Sequence, residues 1–109
     1  INPSLTDIKL ASRLNADCIE IHTGKLANLV KSKKNYLKEL RRIKTSSKLA
    51  ASLQIEVHAG HGLDYKTTKI LTKIREIEEF NIGHFIIGEA VFFGFSSVIK
   101  EFKKIIKSK

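Results

Sequence analysis

Apolar and polar positions change period several times along this chain, and each change marks an element. Ser4 and Asp7 resemble a capping box, and Leu5, Ile8 and Ala11 follow at helical spacing. They predict a helix from about Leu5 to Leu14. Cys18-Ile19-Glu20-Ile21-His22 alternates with period two and predicts a strand, stopped by Thr23-Gly24. A long helix is predicted within Asn35 to Leu53, because Tyr36, Leu40, Ile43, Ser47 and Ala50 recur at steps of four and three. Ile55 to Ala59 predicts a second strand, stopped by Gly60-His61-Gly62. Thr67 to Arg75 reads as a helix with Ile70, Leu71 and Ile74 inward, and Phe80 to Gly83 as a third, short strand. Ile86 to Phe93 taken alone reads as either a short helix or another strand. The last helix is predicted from about Ser96 to Ile106, with Phe95, Val98, Phe102 and Ile105 as its stripe. Strands alternating with helices predict right-handed βαβ units and a parallel sheet.

The strands are not uniformly apolar, as parallel strands covered on both faces would be. Ile19 and Ile21 oppose Cys18, Glu20 and His22; Ile55, Val57 and Ala59 oppose Glu56 and His58; Phe80 and Ile82 oppose Asn81. One face takes helices, while the other carries carboxylates, imidazoles and an amide. A doubly wound sheet has no place for that second face, whereas a (β/α)8 barrel opens its upper interior into an active site. Such a barrel typically needs about 250 residues. The expected fold is therefore α/β, the C-terminal portion of a (β/α)8 TIM barrel. It comprises about three βα units, a preceding helix and an extra helix. Residues 1–109 then form a single domain that is incomplete on its own.

Composition narrows the setting. One cysteine excludes a disulfide scaffold, and a hydrophobic content of 42% suffices for a packed core. The longest apolar stretch, His84 to Phe95, is broken by Glu89 and is too short for a membrane span. The N-terminus Ile1-Asn2-Pro3-Ser4 has neither initiator Met nor the character of a secretory or transit peptide, so a piece of a longer, cytosolic protein is expected. The net charge of +9 is unevenly placed. Eight Lys or Arg lie between Lys31 and Lys48, and five Lys between Lys100 and Lys109. Such runs suit nucleic acid or an anionic membrane. Their spacing favours a solvated helix face instead, because Lys34, Lys38, Arg41, Arg42 and Lys48 fall opposite the core stripe. Neither nucleic acid nor a membrane is an expected partner.

His22, His58, His61 and His84 each lie at or just past the C-terminal end of a predicted strand, with Gly24, Gly60, Gly62 and Gly83 beside or near them. That edge is where α/β proteins bind ligands. Glycines there let backbone N–H groups approach an anion. In many barrels a phosphate site forms from the loops after the last two strands and a short extra helix. Gly60-His61-Gly62 would be the first loop, and Gly83-His84 the second, opening a short helix through about Phe93. No GxxxxGK[ST] or dinucleotide fingerprint is present. Competing readings are capped turn residues for single histidines, a structural ion pair for Glu20, and a zinc site from the four histidines, whose spacing is loose. Glu56, one rung below His58, reads as structural, and Cys18 as a buried small residue rather than a nucleophile.

The runs Ile19-Glu20-Ile21-His22-Thr23-Gly24, Ala59-Gly60-His61-Gly62-Leu63 and Asn81-Ile82-Gly83-His84, in this order, resemble the C-terminal half of the pyridoxine 5′-phosphate synthases of deoxyxylulose-dependent vitamin B6 synthesis. The resemblance covers nearly the whole chain. It implies a (β/α)8 barrel with extra helices, assembled into homo-octamers. It also implies condensation of 3-amino-2-oxopropyl phosphate with 1-deoxy-D-xylulose 5-phosphate, with loss of inorganic phosphate and water and without metal or organic cofactor. By the same resemblance His61 matches a late-acting proton donor and Glu20 a carboxylate that stabilises charged intermediates or the transition state. Gly62, Gly83 and His84 match positions that hold the amino-ketone phosphate. His22 receives no catalytic step. His58 stands where the family commonly has Asn, and Glu89 where a basic residue is frequent. The family's other catalytic groups belong to the first half of the barrel, so these residues alone are expected to be inactive. Two other classes compete: a different phosphate-binding barrel enzyme, which would need a catalytic Lys or a metal at a strand end, and a basic nucleic-acid-binding module.

Overall fold

The computed structural model describes residues 1–108; Lys109, the end of the second basic run, lies outside the described residues. Helix α1 (Leu5–Arg13) starts at Ser4, whose side chain accepts a hydrogen bond from the Asp7 N–H at 3.2 Å. Strand β1 (Cys18–His22) leads directly into α2 (Gly24–Lys31) and then α3 (Leu37–Ser52). Strand β2 (Glu56–Gly60), helix α4 (Tyr65–Leu71) and strand β3 (Ile77–Asn81) follow. Asp64 caps α4 by accepting from the Thr67 N–H at 2.8 Å. Two helices close the chain, α5 (His84–Phe93) and α6 (Phe95–Lys107). The sheet has three parallel strands in the order β1-β2-β3, with Glu20 opposite His58 and His22 opposite Gly60.

The alternation read from the strands decides which face is covered. Ile19, Ile21, Val57, Ala59 and Ile77 are buried against Ile8, Leu26, Val30, Ile43, Ala50 and Leu71 from the helices. Burying a side chain of this size contributes about 1.5–3 kcal/mol each. Tyr65, Phe85 and Phe102 form a second cluster, with ring centroids 4.7–5.7 Å apart, that fixes α4, α5 and α6 to one another. On the opposite face Cys18, Glu20, His22 and Glu56 are exposed.

Several expectations change. Cys18 is exposed, not buried, because it sits on the uncovered sheet face with no element above it. Helix α2 was not anticipated: Thr23-Gly24 reads as a stop, yet the chain turns straight into a helix that buries Leu26, Ala27 and Val30. Strand β3 begins at Ile77, three residues before the expected Phe80, and ends at Asn81; its pairing with β2 skips Glu78, a register irregularity opposite Val57/His58. Helix α4 begins at Tyr65 and ends at Leu71, while Ile74 is still buried beyond its end. In α6 Val98 and Phe102 face inward, but Phe95, the first residue after Gly94, is exposed. The short helix expected from Gly83-His84 through about Phe93 is present as α5, and none of its residues is fully buried.

Candidate active site at the carboxyl ends of the strands

The ends of β1 and β2 are tied together by one buried threonine. The Thr23 hydroxyl lies 2.7 Å from the Gly60 carbonyl and 2.8 Å from the His61 carbonyl, and the Thr23 N–H donates to Gly60 at 2.9 Å. A hydroxyl has one proton, so it is shared between the two carbonyls. This clamp holds the loop after β2 in an uncommon shape: His61 and Gly62 have φ of 88° and 74°. The left-handed conformation is free for Gly62 but strained for His61.

The strained backbone brings the His61 ring onto His22. Their centroids are 4.2 Å apart and the rings lie 27° from parallel. His22 Nδ1 accepts a hydrogen bond from the Gly24 N–H at 3.3 Å, so a neutral His22 carries its proton on Nε2. The absence of a side chain at Gly24 makes room for both rings. A Cβ there would lie 2.6 Å from His22 Cε1 and 2.9 Å from His61 Cδ2.

His61, Gly62, Gly83 and His84 line one cleft of about 650 Å³. Its remaining wall includes Asn28 and Lys31 of α2, Asp64, and Asn81 at the end of β3. Gly83 precedes α5, and no side chain caps that helix. The N–H groups of its first turn are therefore available to an anion at the cleft wall. A second hollow of about 450 Å³ shares His61, Gly62 and Asn28 and adds His22, Lys25 and Lys34.

Glu20 is not among the residues lining the cleft but reaches it through Asn81, whose amide donates to Glu20 Oε1 at 2.5 Å. His58, directly opposite Glu20 on β2, is engaged elsewhere. Its Nδ1 is 3.0 Å from Glu79, while its Nε2 is 3.3 Å from Glu56 without a hydrogen bond. Among the described residues no three His, Cys, Asp or Glu side chains gather as ligands for a metal ion. Tyr65, beside the cleft residue Phe85, has its pKa raised above the ordinary value, by burial first and then by the charges of Glu89 and Glu101. The phenol stays protonated at any pH near neutrality.

The structure brings His61, Gly62, Gly83 and His84 together in one cleft and adds Asn28 and Lys31, which arrive on the unanticipated α2. Their signal was present in Leu26, Ala27 and Val30, whose spacing is that of a helix packed on one side. From the sequence Thr23 reads as a strand stop and as part of the Ile19-to-Gly24 run, with no signal of its clamp on the loop after β2.

Fold and cleft together define an α/β protein with a candidate anion-binding active site at the carboxyl ends of parallel strands. The chain belongs to the family described as pyridoxal phosphate biosynthesis protein PdxJ, which matches residues 1–108. It is similar to the pyridoxine 5′-phosphate synthase of Pelagibacter ubique (strain HTCC1062), at 60% identity over 105 residues, covering 96% of this chain and 44% of the relative. The synthase of Zymomonas mobilis subsp. mobilis is 48% identical over 106 residues, covering 97% of this chain and 41% of the relative. That of Sulfurihydrogenibium sp. (strain YO3AOP1) is 47% identical over 106 residues, covering 97% and 43%. The chain spans less than half the length of these curated relatives.

Proposed function

We propose that this chain is the C-terminal half of a (β/α)8-barrel pyridoxine 5′-phosphate synthase. The whole enzyme would condense 3-amino-2-oxopropyl phosphate with 1-deoxy-D-xylulose 5-phosphate to give pyridoxine 5′-phosphate, inorganic phosphate and water. The observation that carries the reading is the convergence of His61, Gly62, Gly83 and His84 on one cleft beside the uncapped start of α5. That arrangement suits a phosphate ester held by backbone N–H groups within reach of an imidazole.

The barrel reading is supported by the uncovered polar sheet face and by the pairing of Ile1. Its N-terminal nitrogen donates to the Glu20 carbonyl at 2.6 Å, and its carbonyl accepts from the His22 N–H at 2.8 Å. This is the alternating pattern of a parallel ladder, so Ile1 lies where a further parallel strand would end.

Within the proposed site each group has a role. The loop at Gly62 and the first turn of α5, with Gly83 and His84, hold the phosphate of the amino ketone. His61 delivers a proton late in the reaction, a task suited to imidazole near neutral pH. Glu20 offsets positive charge developing on the nitrogen-bearing intermediate. The residues named here need neither metal nor organic cofactor for these steps. The reading also includes homo-octameric assembly and a cytosolic setting, as the family resemblance implies. Among the described residues no helix is long and apolar enough to cross a membrane.

The test exchanges the matching segment of the Pelagibacter ubique relative for this chain and measures pyridoxine 5′-phosphate formation from the two phosphorylated substrates. Activity within about tenfold of the relative's is expected, since the cleft residues come entirely from this chain. A well-folded exchange protein that forms no product would overturn the proposal.

A further inference from the structure

We propose that Asn81 is a positioning residue that holds the Glu20 carboxylate over the bare backbone of Gly60. The inference rests on the reading of Glu20 given under the proposed function and adds how that carboxylate is kept in place. Glu20 lies on β1 and Asn81 on β3, with β2 between them. Two side chains two strands apart meet only if the strand between offers nothing in the way. The residue between them is Gly60, paired with Asn81 in the sheet register. A Cβ at Gly60 would lie 2.6 Å from Glu20 Cδ and 3.1 Å from Glu20 Oε2, well inside contact distance. Gly60 has no positive φ, so its need for glycine is this clearance and not backbone conformation.

The bridge is direct. Asn81 Nδ2 donates to Glu20 Oε1 at 2.5 Å, a short bond of the charge-assisted kind. Among the described residues no other side chain donates a hydrogen bond to that carboxylate. His58, the register neighbour of Glu20 on β2, is engaged by Glu79 at 3.0 Å instead. A glutamate on an exposed sheet face has three rotatable bonds, and without the amide it would sample many of them. With the amide it is fixed beside the cleft wall that Asn81 itself lines.

The test is a double-mutant cycle in the segment-exchanged synthase described above. Asn81→Ala and Asn81→Asp are each expected to lower kcat by about 10- to 100-fold with KM changed less than about twofold, since displacing a reacting group by an ångström costs that much. Asp has the shape of Asn without the donor, so a role in packing alone would leave Asn81→Asp active. Gly60→Ala is expected to reproduce the loss by pushing the carboxylate aside. In a Glu20→Ala background neither Asn81→Ala nor Gly60→Ala should lower kcat further, because the group they place is gone. If Asn81→Ala still lowers kcat in that background, or raises KM, Asn81 acts on substrate directly and the proposal falls. If Glu20→Ala lowers kcat but Asn81→Asp does not, the proposal falls while the role of Glu20 stands. If Glu20→Ala leaves kcat unchanged, the role of Glu20 falls and takes this inference with it.

Discussion

The conformation of His61 separates what stabilises the protein from what performs the chemistry, and two substitutions measure the separation. A non-glycine residue at φ of 88° is strained by roughly 1–2 kcal/mol relative to glycine. His61→Ala and His61→Gly both remove the imidazole and its 4.2 Å stack on His22, so that loss cancels between them. What differs is the backbone. Glycine relieves the strain, but it also gains freedom in the unfolded chain, which costs about 0.4–1 kcal/mol. The strain is the larger quantity, so His61→Gly should be the more stable of the pair by about 0.5–1 kcal/mol. Both variants should lower kcat by about 10²–10⁴-fold through loss of the proton donor. The assay pairs urea midpoints with turnover in the segment-exchanged synthase, at one protein concentration so that assembly does not shift the comparison. Equal midpoints, or a more stable alanine variant, would refute the strain argument. Undiminished turnover in both would remove His61 from the mechanism.

Gly24→Ala tests the room that the two rings need: His22 must retreat by about 0.8 Å to reach ordinary contact at 3.4 Å. Turnover should fall by about 10²-fold. The urea midpoint should move little, because both rings are exposed and free to swing away; an unchanged kcat would show that the stack is idle. Thr23→Val removes the hydroxyl shared by the Gly60 and His61 carbonyls while keeping shape, and should cost about 1–3 kcal/mol in urea unfolding together with some loss of turnover. A variant as stable as the parent would mean that the backbone pairing of Thr23 with Gly60 suffices. The 109-residue chain by itself should self-associate and lack synthase activity, because Val91, Phe92 and Phe93 on α5 are 65–81% exposed and the polar sheet face is uncovered. A stable, folded monomer in light scattering at micromolar concentration would contradict the first claim, and product formation the second.

The strand faces were legible in the sequence because period two leaves only one assignment once Ile19, Ile21, Val57 and Ala59 are placed inward. The same logic placed Asn81 with the polar residues, although the start of its strand was misjudged. The register irregularity beside His58 has no local sequence signal. Cys18 reads as buried from the sequence, but burial at the bottom of a strand requires an opposing layer, which no described residue supplies. The contacts that shape the site were not legible at all. The stack of His22 on His61 and the bond from Asn81 to Glu20 depend on register between strands 37 or more residues apart. Glycine punctuation indicated that the loops approach closely, but not that Gly24 and Gly60 are bare to admit particular side chains.

The polar sheet face also has an internal order. Glu56, His58 and Glu79 face one another low on the strands, with His58 between two carboxylates at 3.3 and 3.0 Å. That lower group is engaged with itself through His58 Nδ1 and Glu79, while the buried His58 Nε2 has no hydrogen-bond partner. One rung higher, Gly60 replaces a side chain with open backbone, and the pairing changes from neighbours to strands two apart: Glu20 reaches Asn81. Higher still the chain leaves the sheet, and Thr23 holds the turn that lifts His61 onto His22 at the cleft. Upward along β2, from His58 to Gly60 to His61, ion pairing gives way to bare backbone under the Glu20 carboxylate and then to an exposed ring stacked on His22. That gradient leaves a lower group engaged with itself and upper groups held in place without being neutralised. The two glycines that admit the upper groups, Gly24 and Gly60, carry no recorded positive φ, so their selection is for room beside the chemistry.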